Sequence, residues 1–222
     1  MLELEDVSKS YPHGGGHIDV LKHLRLSVAK GERLAILGPS GAGKSTLLAL
    51  LGGLDRPTSG RIVVDGADLS QCDEEQLTAL RARLISIVFQ QFHLMPHLTA
   101  LENVALPLKI LARPHPKDGA AKALAKVGLG ERLNHFPHQM SGGECQRTAI
   151  ARAMVTKPAL LLADEPSGNL DTETGEQVMQ LLFELVRDAG TTLVLVTHNP
   201  SLADLCDRKL WLKAGELHES PR

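Results

Sequence analysis

The stretch "GPSGAGKST", residues 38–46, fits the pattern G-x-x-x-x-G-K-[ST]. The apolar run "RLAILG" leads into it and a helical pattern over residues 45–51 follows, which is the order of strand, loop and helix that the pattern requires. Its glycines let the backbone wrap closely around an anion, and the amides of residues 43–46 point at that anion from a helix N-terminus. The stretch therefore predicts a phosphate-binding loop between a strand and a helix.

Two side chains of this loop are suited to a nucleoside triphosphate with Mg²⁺. Lys44 is placed to pair with the β- and γ-phosphates, and the Ser45 hydroxyl is placed to ligate the metal. We expect the whole loop to contact the nucleotide, which adds these residues to the candidate site: Gly38, Pro39, Ser40, Gly41, Ala42, Gly43 and Thr46.

The stretch "ALLLADEP", residues 159–166, ends an apolar run on two adjacent carboxylates, Asp164 and Glu165. Consecutive apolar residues are typical of a strand that is covered on both faces. Neighbouring carboxylates in a dry place raise each other's pKa, so this pair indicates either an acidic surface turn or a site that needs a cation. Given a phosphate loop in the same chain, we expect Asp164 to hold Mg²⁺ with Ser45, and Glu165 to act as general base for an attacking water.

Two other strand-like runs stop on neutral polar residues. "ISIVFQ" ends at Gln90 and "TLVLVTH" ends at His198. Parallel strands bring their carboxyl ends to one edge of a sheet, where ligands of such folds bind. Both side chains are therefore candidates to position a water and to contact a γ-phosphate oxygen, and Gln90 is also a candidate Mg²⁺ ligand.

The remaining segments predict an α/β fold with a mainly parallel sheet. The first 30 residues alternate in polarity around a glycine-rich turn, which indicates an N-terminal antiparallel β subdomain. Helix formers broken by prolines over residues 92–157 indicate a helical subdomain, in which "DGAAKALAKVGLG" (residues 118–130) is one short helix. The segment from "RKLWLK" onward predicts a strand, a turn at Ala214-Gly215 and an edge strand.

Composition limits the partners and the compartment. The 222 residues contain 24 Lys plus Arg against 26 Asp plus Glu, for a net charge of −2, so nucleic acid is not an expected partner. Cys72, Cys145 and Cys206 have no metal-binding or redox spacing, which fits a reducing cytoplasm. No secretory signal is visible and no window approaches 18 consecutive apolar residues, so we do not expect the chain to cross a membrane by itself.

The stretch "MSGGECQR", residues 140–147, resembles the signature motif of ATP-binding cassette (ABC) ATPases. The phosphate loop, Gln90, this signature, "LLLADEP", "SGNLD" (residues 167–171) and His198 occur in the order and spacing of one such domain. The resemblance implies a P-loop NTPase fold in a single domain over residues 1–222. In it, a catalytic core of about residues 1–90 and 158–222 would carry a helical signature subdomain of about residues 91–157.

This resemblance also implies the ligands and the assembly. The ligands would be ATP and Mg²⁺, and two copies of the chain would sandwich two ATP molecules in a head-to-tail homodimer. Ser141, Gly142 and Gly143 would contact the γ-phosphate held by the second copy, and Asp171 would link the two sites. Tyr11, otherwise a core residue of an edge strand, would stack on adenine. Independently of the family, Ser141 and Glu144 form an S-x-x-E capping box ahead of a helix.

Two residues depart from the usual signature. Met140 stands where leucine is usual, and Cys145 stands where a longer polar residue is common. Cys145 is either ordinary helix packing or a thiol with unusual sensitivity to thiol reagents.

Within the family, "VFQQFHLMPHLTALENVALPL" (residues 88–108) and "ADEPSGNLD" look most like the ATPase subunits of lipoprotein-releasing and macrolide-export complexes. The resemblance then implies integral membrane permease subunits as partners and a location on the cytoplasmic face of the inner membrane. Apolar residues for a groove that receives a permease helix, or for the core of the helical subdomain, are Phe92, Leu94, Met95 and Leu98.

Other functions are compatible with parts of this pattern. A cell-division ATPase that transmits a signal through a membrane partner without transport is the main alternative to an export or extraction motor. A soluble nucleic-acid machine with the same cassette would carry long coiled coils or a second cassette, and this slightly acidic chain has neither. An adenylate-kinase-like transferase explains neither "SGGE" nor the base at Glu165.

Overall fold

A computed structural model describes residues 1–220; the last two residues of the predicted unit lie outside the described part. The strands are β1 (Leu2–His13), β2 (Gly16–Val28), β3 (Arg33–Leu37), β4 (Ser59–Val64), β5 (Ala67–Asp68), β6 (Ile85–Val88), β7 (Leu160–Asp164), β8 (Thr192–Val196), β9 (Arg208–Lys213) and β10 (Glu216–His218). The helices are α1 (Lys44–Leu51), α2 (Glu74–Leu84), α3 (Ala100–Ile110), α4 (Pro116–Lys126), α5 (Gly142–Met154), α6 (Thr172–Ala189) and α7 (Pro200–Ala203). Strands and helices alternate through most of the chain, which is the pattern of an α/β fold.

The larger sheet has the order β10-β9-β3-β8-β7-β6. Strands β9, β3, β8, β7 and β6 are parallel to one another, and β10 pairs with β9 in the antiparallel direction. The predicted mainly parallel sheet is therefore confirmed. Its central strands are apolar on both faces because both faces are covered. One face packs on α1 and the smaller sheet, and the other packs on α5 and α6.

The smaller sheet is antiparallel and has the order β2-β1-β4-β5. β1 and β2 confirm the predicted N-terminal hairpin, and β4 pairs with β1 in the antiparallel direction. Strands β4 and β5 and helix α2 were not predicted from the sequence. For α2 a signal was present, because Asp73 and Gln76 form a capping box at its N-terminus.

Helices α3, α4 and α5 form the predicted helical segment. They pack around their own apolar cluster, which includes Val104, Leu124 and Ala151. Helix α4 ends at Lys126 and Gly128 follows with a left-handed backbone, as the glycine in the sequence predicted. None of the helices in residues 1–220 combines the length and hydrophobicity needed to span a bilayer.

The strand order decides where the candidate site lies. Strands β3, β8, β7 and β6 are consecutive neighbours in the sheet although they come from distant parts of the chain. The carboxyl ends of these four strands lead into Gly38, His198, Glu165 and Gln90. All four predicted strand ends therefore meet at one edge.

Candidate functional site

The phosphate loop lies between β3 and α1. Gly43 is the N-cap of α1 with a left-handed backbone (φ 99°), and no side chain caps this helix end. The first amides of α1 therefore stay open to an anion, with the positive end of the helix dipole behind them. A Cβ at Gly38 would collide with the carbonyl oxygen of Leu212, because β9 runs close beside the start of the loop.

Lys44 lies inside the loop rather than in solvent. The lysine is buried, and its Nζ donates hydrogen bonds to the carbonyl oxygens of Gly38 and Pro39, each at 2.9 Å. The loop thus holds a positive charge at its centre, next to the open amides of α1.

Ser45 and Asp164 come together from different parts of the chain. The Ser45 hydroxyl donates to Oδ2 of Asp164 at 3.0 Å. Burial raises the pKa of Asp164, and the neighbouring charge of Glu165 raises it further, while the Ser45 hydrogen bond and Lys44 act in the opposite direction. A half-buried carboxylate in this environment gains from a cation placed beside it.

Glu165 faces a different partner from its neighbour Asp164. Its backbone is left-handed (φ 43°), which is uncommon for a residue with a side chain, and its amide donates to the Val196 carbonyl at 2.9 Å. Its Oε2 lies 2.9 Å from Nδ1 of His198. The sharp turn after β7 therefore separates the two carboxylates, one towards the phosphate loop and the other towards the end of β8.

Gln90 is held by a residue that the sequence analysis did not assign. Its Nε2 donates to Oδ1 of Asn169 at 3.1 Å, and Nδ2 of Asn169 donates back to the Gln90 carbonyl at 3.1 Å. A Cβ at Gly168 would lie 2.7 Å from Nε2 of Gln90, so the side chain rests against bare backbone there. The motif "SGNLD" was the available signal, but only its aspartate had been singled out.

These groups line one cleft of about 570 Å³. Its lining includes most of the predicted site: Gly38, Pro39, Ser40, Gly41, Gly43, Lys44, Ser45, Thr46, Gln90, Asp164, Glu165 and His198. Ala42 is buried beneath the loop instead. Val20 also lines the cleft and was missed, because a valine in a strand carries no sequence signal for such a role.

Tyr11 lies on β1, outside the lining of this cleft. The residue is 38% exposed, so it is not the buried core residue that was the alternative. Its hydroxyl donates to Oδ2 of Asp55 at 2.6 Å. Burial, followed by Asp55, raises the pKa of Tyr11, while the side chain of Thr46 in the phosphate loop acts in the opposite direction.

The signature residues begin α5. Ser141 is the N-cap, and the predicted capping box with Glu144 is present in both directions. The backbone amide of Ser141 and the guanidinium of Arg132 lower the pKa of Glu144 to about 2. Neither Ser141 nor Gly142 lines the cleft of the phosphate loop.

Gly143 and Asp171 take part in contacts between α5 and α6. A Cβ at Gly143 would lie 2.5 Å from Cγ2 of Thr174. Asp171 caps α6 by accepting from the Thr174 amide at 3.0 Å, and this bond lowers the pKa of Asp171. Asp171 also lines a second cavity of about 240 Å³, which it shares with Glu165 and His198.

Cys145 is a packing residue. It is buried, its Sγ donates to the Pro137 carbonyl at 3.4 Å, and burial raises its pKa. Because the thiolate is the reactive form and burial disfavours it, these contacts favour the packing interpretation over an unusual sensitivity to thiol reagents.

The segment after Gln90 is anchored to α5 by an arginine that the sequence analysis missed. Arg152 donates to the carbonyls of Phe92 at 2.9 Å and His93 at 2.6 Å, and both of those residues have left-handed backbones. Of the predicted groove residues, Phe92, Leu94 and Leu98 are half-buried and Met95 is 42% exposed.

The site combines an open helix N-terminus behind a glycine loop with a lysine and a serine–carboxylate pair at the same sheet edge. This combination defines a P-loop nucleoside triphosphatase. A family model described as ABC transporter matches residues 21–168. The chain belongs to the ABC transporter family, and it is an ATP-hydrolysing, energy-coupling subunit of that family. The predicted fold class and family resemblance are confirmed.

Several relatives are similar over nearly the whole chain. The chain is 48% identical to the lipoprotein-releasing system ATP-binding protein LolD of Shewanella oneidensis, over 98% of this chain and 95% of the relative. It is 47% identical, with the same coverage, to the uncharacterized ABC transporter ATP-binding protein YvrO of Bacillus subtilis. It also resembles a solved dimeric structure of the ATP-binding cassette MJ0796 in a post-hydrolysis state bound to ADP and Pi. That structure has a TM-score of 0.91 and 42% identity, over 99% of this chain and 98% of the other.

Proposed function

We propose that two copies of this chain sandwich two ATP molecules with Mg²⁺ and drive a separate membrane permease that exports or extracts its cargo. The observation that carries this proposal is the convergence of Lys44, the Ser45–Asp164 pair and the Glu165–His198 pair on one cleft. Phosphate binding, metal binding and water activation each need one of these groups at the same phosphate.

The donor set fits Mg²⁺. This ion prefers oxygen ligands and takes one or two of them from protein hydroxyls and carboxylates beside substrate phosphates. Ser45 and Asp164 present such oxygens 3.0 Å apart, and a cation there would offset the burial that raises the pKa of Asp164. Gln90 lines the same cleft, and it would add its side-chain oxygen after leaving Asn169. When bound, Mg²⁺ would neutralise charge that develops on the β- and γ-phosphate oxygens.

Each residue of the cleft then has one task in hydrolysis. The phosphate loop from Gly38 to Thr46 and the Lys44 ammonium bind the phosphates. Glu165 takes the proton of the attacking water. His198, whose Nδ1 lies 2.9 Å from the Glu165 carboxylate, orients that carboxylate and contacts a γ-phosphate oxygen. Tyr11, on β1, stacks on the adenine.

The second copy completes each site. Ser141, Gly142 and Gly143 start a capped helix that lies away from the cleft of its own chain, which supports a role towards the ATP of a partner. Asp171 lines a cavity together with Glu165 and His198, a position suited to a link between the two sites. The solved relatives described as dimeric support the same arrangement.

The family and the named relatives support the proposed membrane partner and location. Permease subunits in the membrane would supply the path for the cargo, and this chain would sit on the cytoplasmic face of the membrane. Its catalytic core, about residues 1–90 and 158–222, would bind ATP, and its helical part, about residues 91–157, would contact the permease near Met95. Similarity to lipoprotein-releasing ATPases supports extraction of a lipid-anchored cargo.

The test traps the proposed complex. Glu165→Gln protein is incubated with ATP in native membranes, crosslinked and purified, and the bound proteins are identified. We expect a multi-spanning membrane protein that is recovered with ATP and lost when Lys44→Ala is added. Recovery from the soluble fraction alone would contradict the coupling role. A membrane partner without cargo movement in vesicles would instead favour the signalling alternative.

A further inference from the structure

Tyr11, which we propose to stack on adenine, is held in place by groups outside the nucleotide cleft. Asp55 receives the Tyr11 hydroxyl on Oδ2 at 2.6 Å, and on Oδ1 it receives Nζ of Lys9 and the Arg56 amide, each at 2.7 Å. Burial opposes the charged form of Asp55, but these three hydrogen bonds outweigh it and lower its pKa. Asp55 is therefore a carboxylate at neutral pH and a strong acceptor for the phenol.

Asp55 is tied to the helix that begins at the phosphate loop. After the last turn of α1 the chain folds back, and the amides of Leu54 and Asp55 both donate to the carbonyl of Ala49, at 2.8 and 3.3 Å. Tyr11, by contrast, belongs to β1 of the smaller sheet. The hydrogen bond between them thus fixes the ring relative to α1 and the phosphate loop.

Lys9 covers one face of the ring. The lysine is buried and its Nζ, which also donates to the Arg56 carbonyl at 2.7 Å, lies 4.7 Å from the centre of the Tyr11 ring. A cation at this distance is attracted to the ring face, so the lysine and the ring hold each other. Tyr11 is 38% exposed, so part of its surface is open to a stacking base.

We propose that Asp55 is a positioning residue for adenine: it holds the Tyr11 ring in one orientation, with Lys9 on one face and the nucleobase on the other. This rests on the proposed function, in which Tyr11 contacts the base. A ring that is already held loses less conformational freedom when the base stacks on it, so binding is tighter than on a freely rotating ring.

The test separates the base from the phosphates by comparing two ligands. Affinities of Mg²⁺-ATP and Mg²⁺-tripolyphosphate are measured by calorimetry for the wild type, Tyr11→Phe, Asp55→Asn, the double variant and Tyr11→Ala. We expect Tyr11→Phe and Asp55→Asn each to weaken ATP binding by about three- to tenfold, the range of one aromatic contact. Tripolyphosphate binding should not change, and the double variant should be no weaker than Asp55→Asn alone, because both substitutions weaken the same Tyr11–Asp55 hydrogen bond.

A spectroscopic readout reports the ring itself. Tyr11 is the only tyrosine in the chain, so labelling tyrosine with ¹³C at Cζ gives a single resonance. Asp55→Asn should shift this resonance in the free protein, and ATP should shift it in the wild type while tripolyphosphate should not. Asp68→Asn is the matched control, because it breaks a 2.7 Å carboxylate–arginine pair with Arg61 in the same sheet without touching Tyr11.

The outcomes distinguish this proposal from the function on which it rests. If Tyr11→Ala weakens ATP binding while Tyr11→Phe and Asp55→Asn bind ATP like the wild type, the ring contacts the base but Asp55 does not position it. If Tyr11→Ala also binds ATP normally, the adenine role of Tyr11 fails and the positioning role fails with it. Equal losses for ATP and tripolyphosphate would place the effect on the phosphate loop and overturn the proposal.

Discussion

Asp164 and Glu165 illustrate how one residue's backbone separates two chemical roles. Adjacent carboxylates on an extended strand point to opposite faces, but here the strand ends at Asp164 and Glu165 turns left-handed. A non-glycine residue in this conformation costs about 1–3 kcal/mol, which the surrounding structure must offset. The amide hydrogen bond from Glu165 to Val196 and the contact with His198 hold it in place.

At this scale we predict the effect of Glu165→Gln. The amide keeps the size of the side chain but cannot accept a proton, so hydrolysis should fall by about 10²- to 10⁴-fold while ATP still binds. Phosphate release and retention of labelled ATP measure the two effects. Glu184→Gln, an exposed change on α6, is the control and should hydrolyse ATP normally. Undiminished turnover of Glu165→Gln would remove this residue from the role of base.

At the scale of an element, the N-terminus of helix α5 is stabilised both by its own residues and by neighbouring segments. Within the helix, Ser141 and Glu144 satisfy each other's backbone amides. From outside the helix, Arg132 in the loop before α5 pairs with Glu144 at 2.8 Å, and Thr174 at the start of α6 lies against Gly143. Changes at this end should therefore act on stability as well as on any phosphate contact.

The capping box predicts a pH dependence of stability. The pKa of Glu144 is lowered to about 2 in the folded protein, so its stabilising contribution is complete above its ordinary value of 4.5 and is lost as the pH falls from there toward about 2. The free energy of unfolding by urea is measured against pH for the wild type and for Glu144→Gln, which keeps a capping side chain without the charge. The difference between them should shrink as the pH falls through this window. A difference that stays constant with pH would contradict the assignment.

The contact of Gly143 with Thr174 can be tested by its effect on stability. In Gly143→Ala the new Cβ would lie 2.5 Å from Cγ2 of Thr174, so either Thr174 must change its rotamer or α5 and α6 must separate. The free energy of unfolding should therefore fall by about 1–3 kcal/mol. Adding Thr174→Ser removes that methyl group and keeps the amide that Asp171 caps, so it should restore most of the loss. Urea unfolding of the single and double variants measures this. A destabilisation that Thr174→Ser does not relieve would show that the contact is not its cause.

At the scale of the whole molecule, the chain carries the two proposed halves of a nucleotide site in separate places. The cleft lies at the carboxyl ends of β3, β8, β7 and β6, and the start of α5 lies outside its lining. A two-fold pair of chains can use both halves reciprocally.

This arrangement predicts complementation between inactive variants. Lys44→Ala and Ser141→Arg should each be inactive alone, because every site of the homodimer then lacks one half. In an equal mixture, half of the dimers are mixed and each has one intact site, so ATPase activity should recover to at most about a quarter of the wild-type value. The control is Lys44→Ala mixed with Glu165→Gln, which damage the same half and should give no recovery. Absence of recovery in the first mixture would contradict the shared site.

The sequence by itself determined the phosphate loop, the carboxylate pair, the cap of α5 and the mainly parallel sheet. The first three depend on residues close together in the chain, where spacing and hydrogen bonding set the conformation. The parallel sheet follows from the alternation of strand and helix patterns along the chain. The tertiary structure alone decided that Asn169 holds Gln90, that Arg152 anchors the segment after it, and that Asp55 holds Tyr11. Those partners lie 44 to 79 residues apart, so their contacts depend on how sheets and helices pack, and local patterns in a sequence carry no information on that packing.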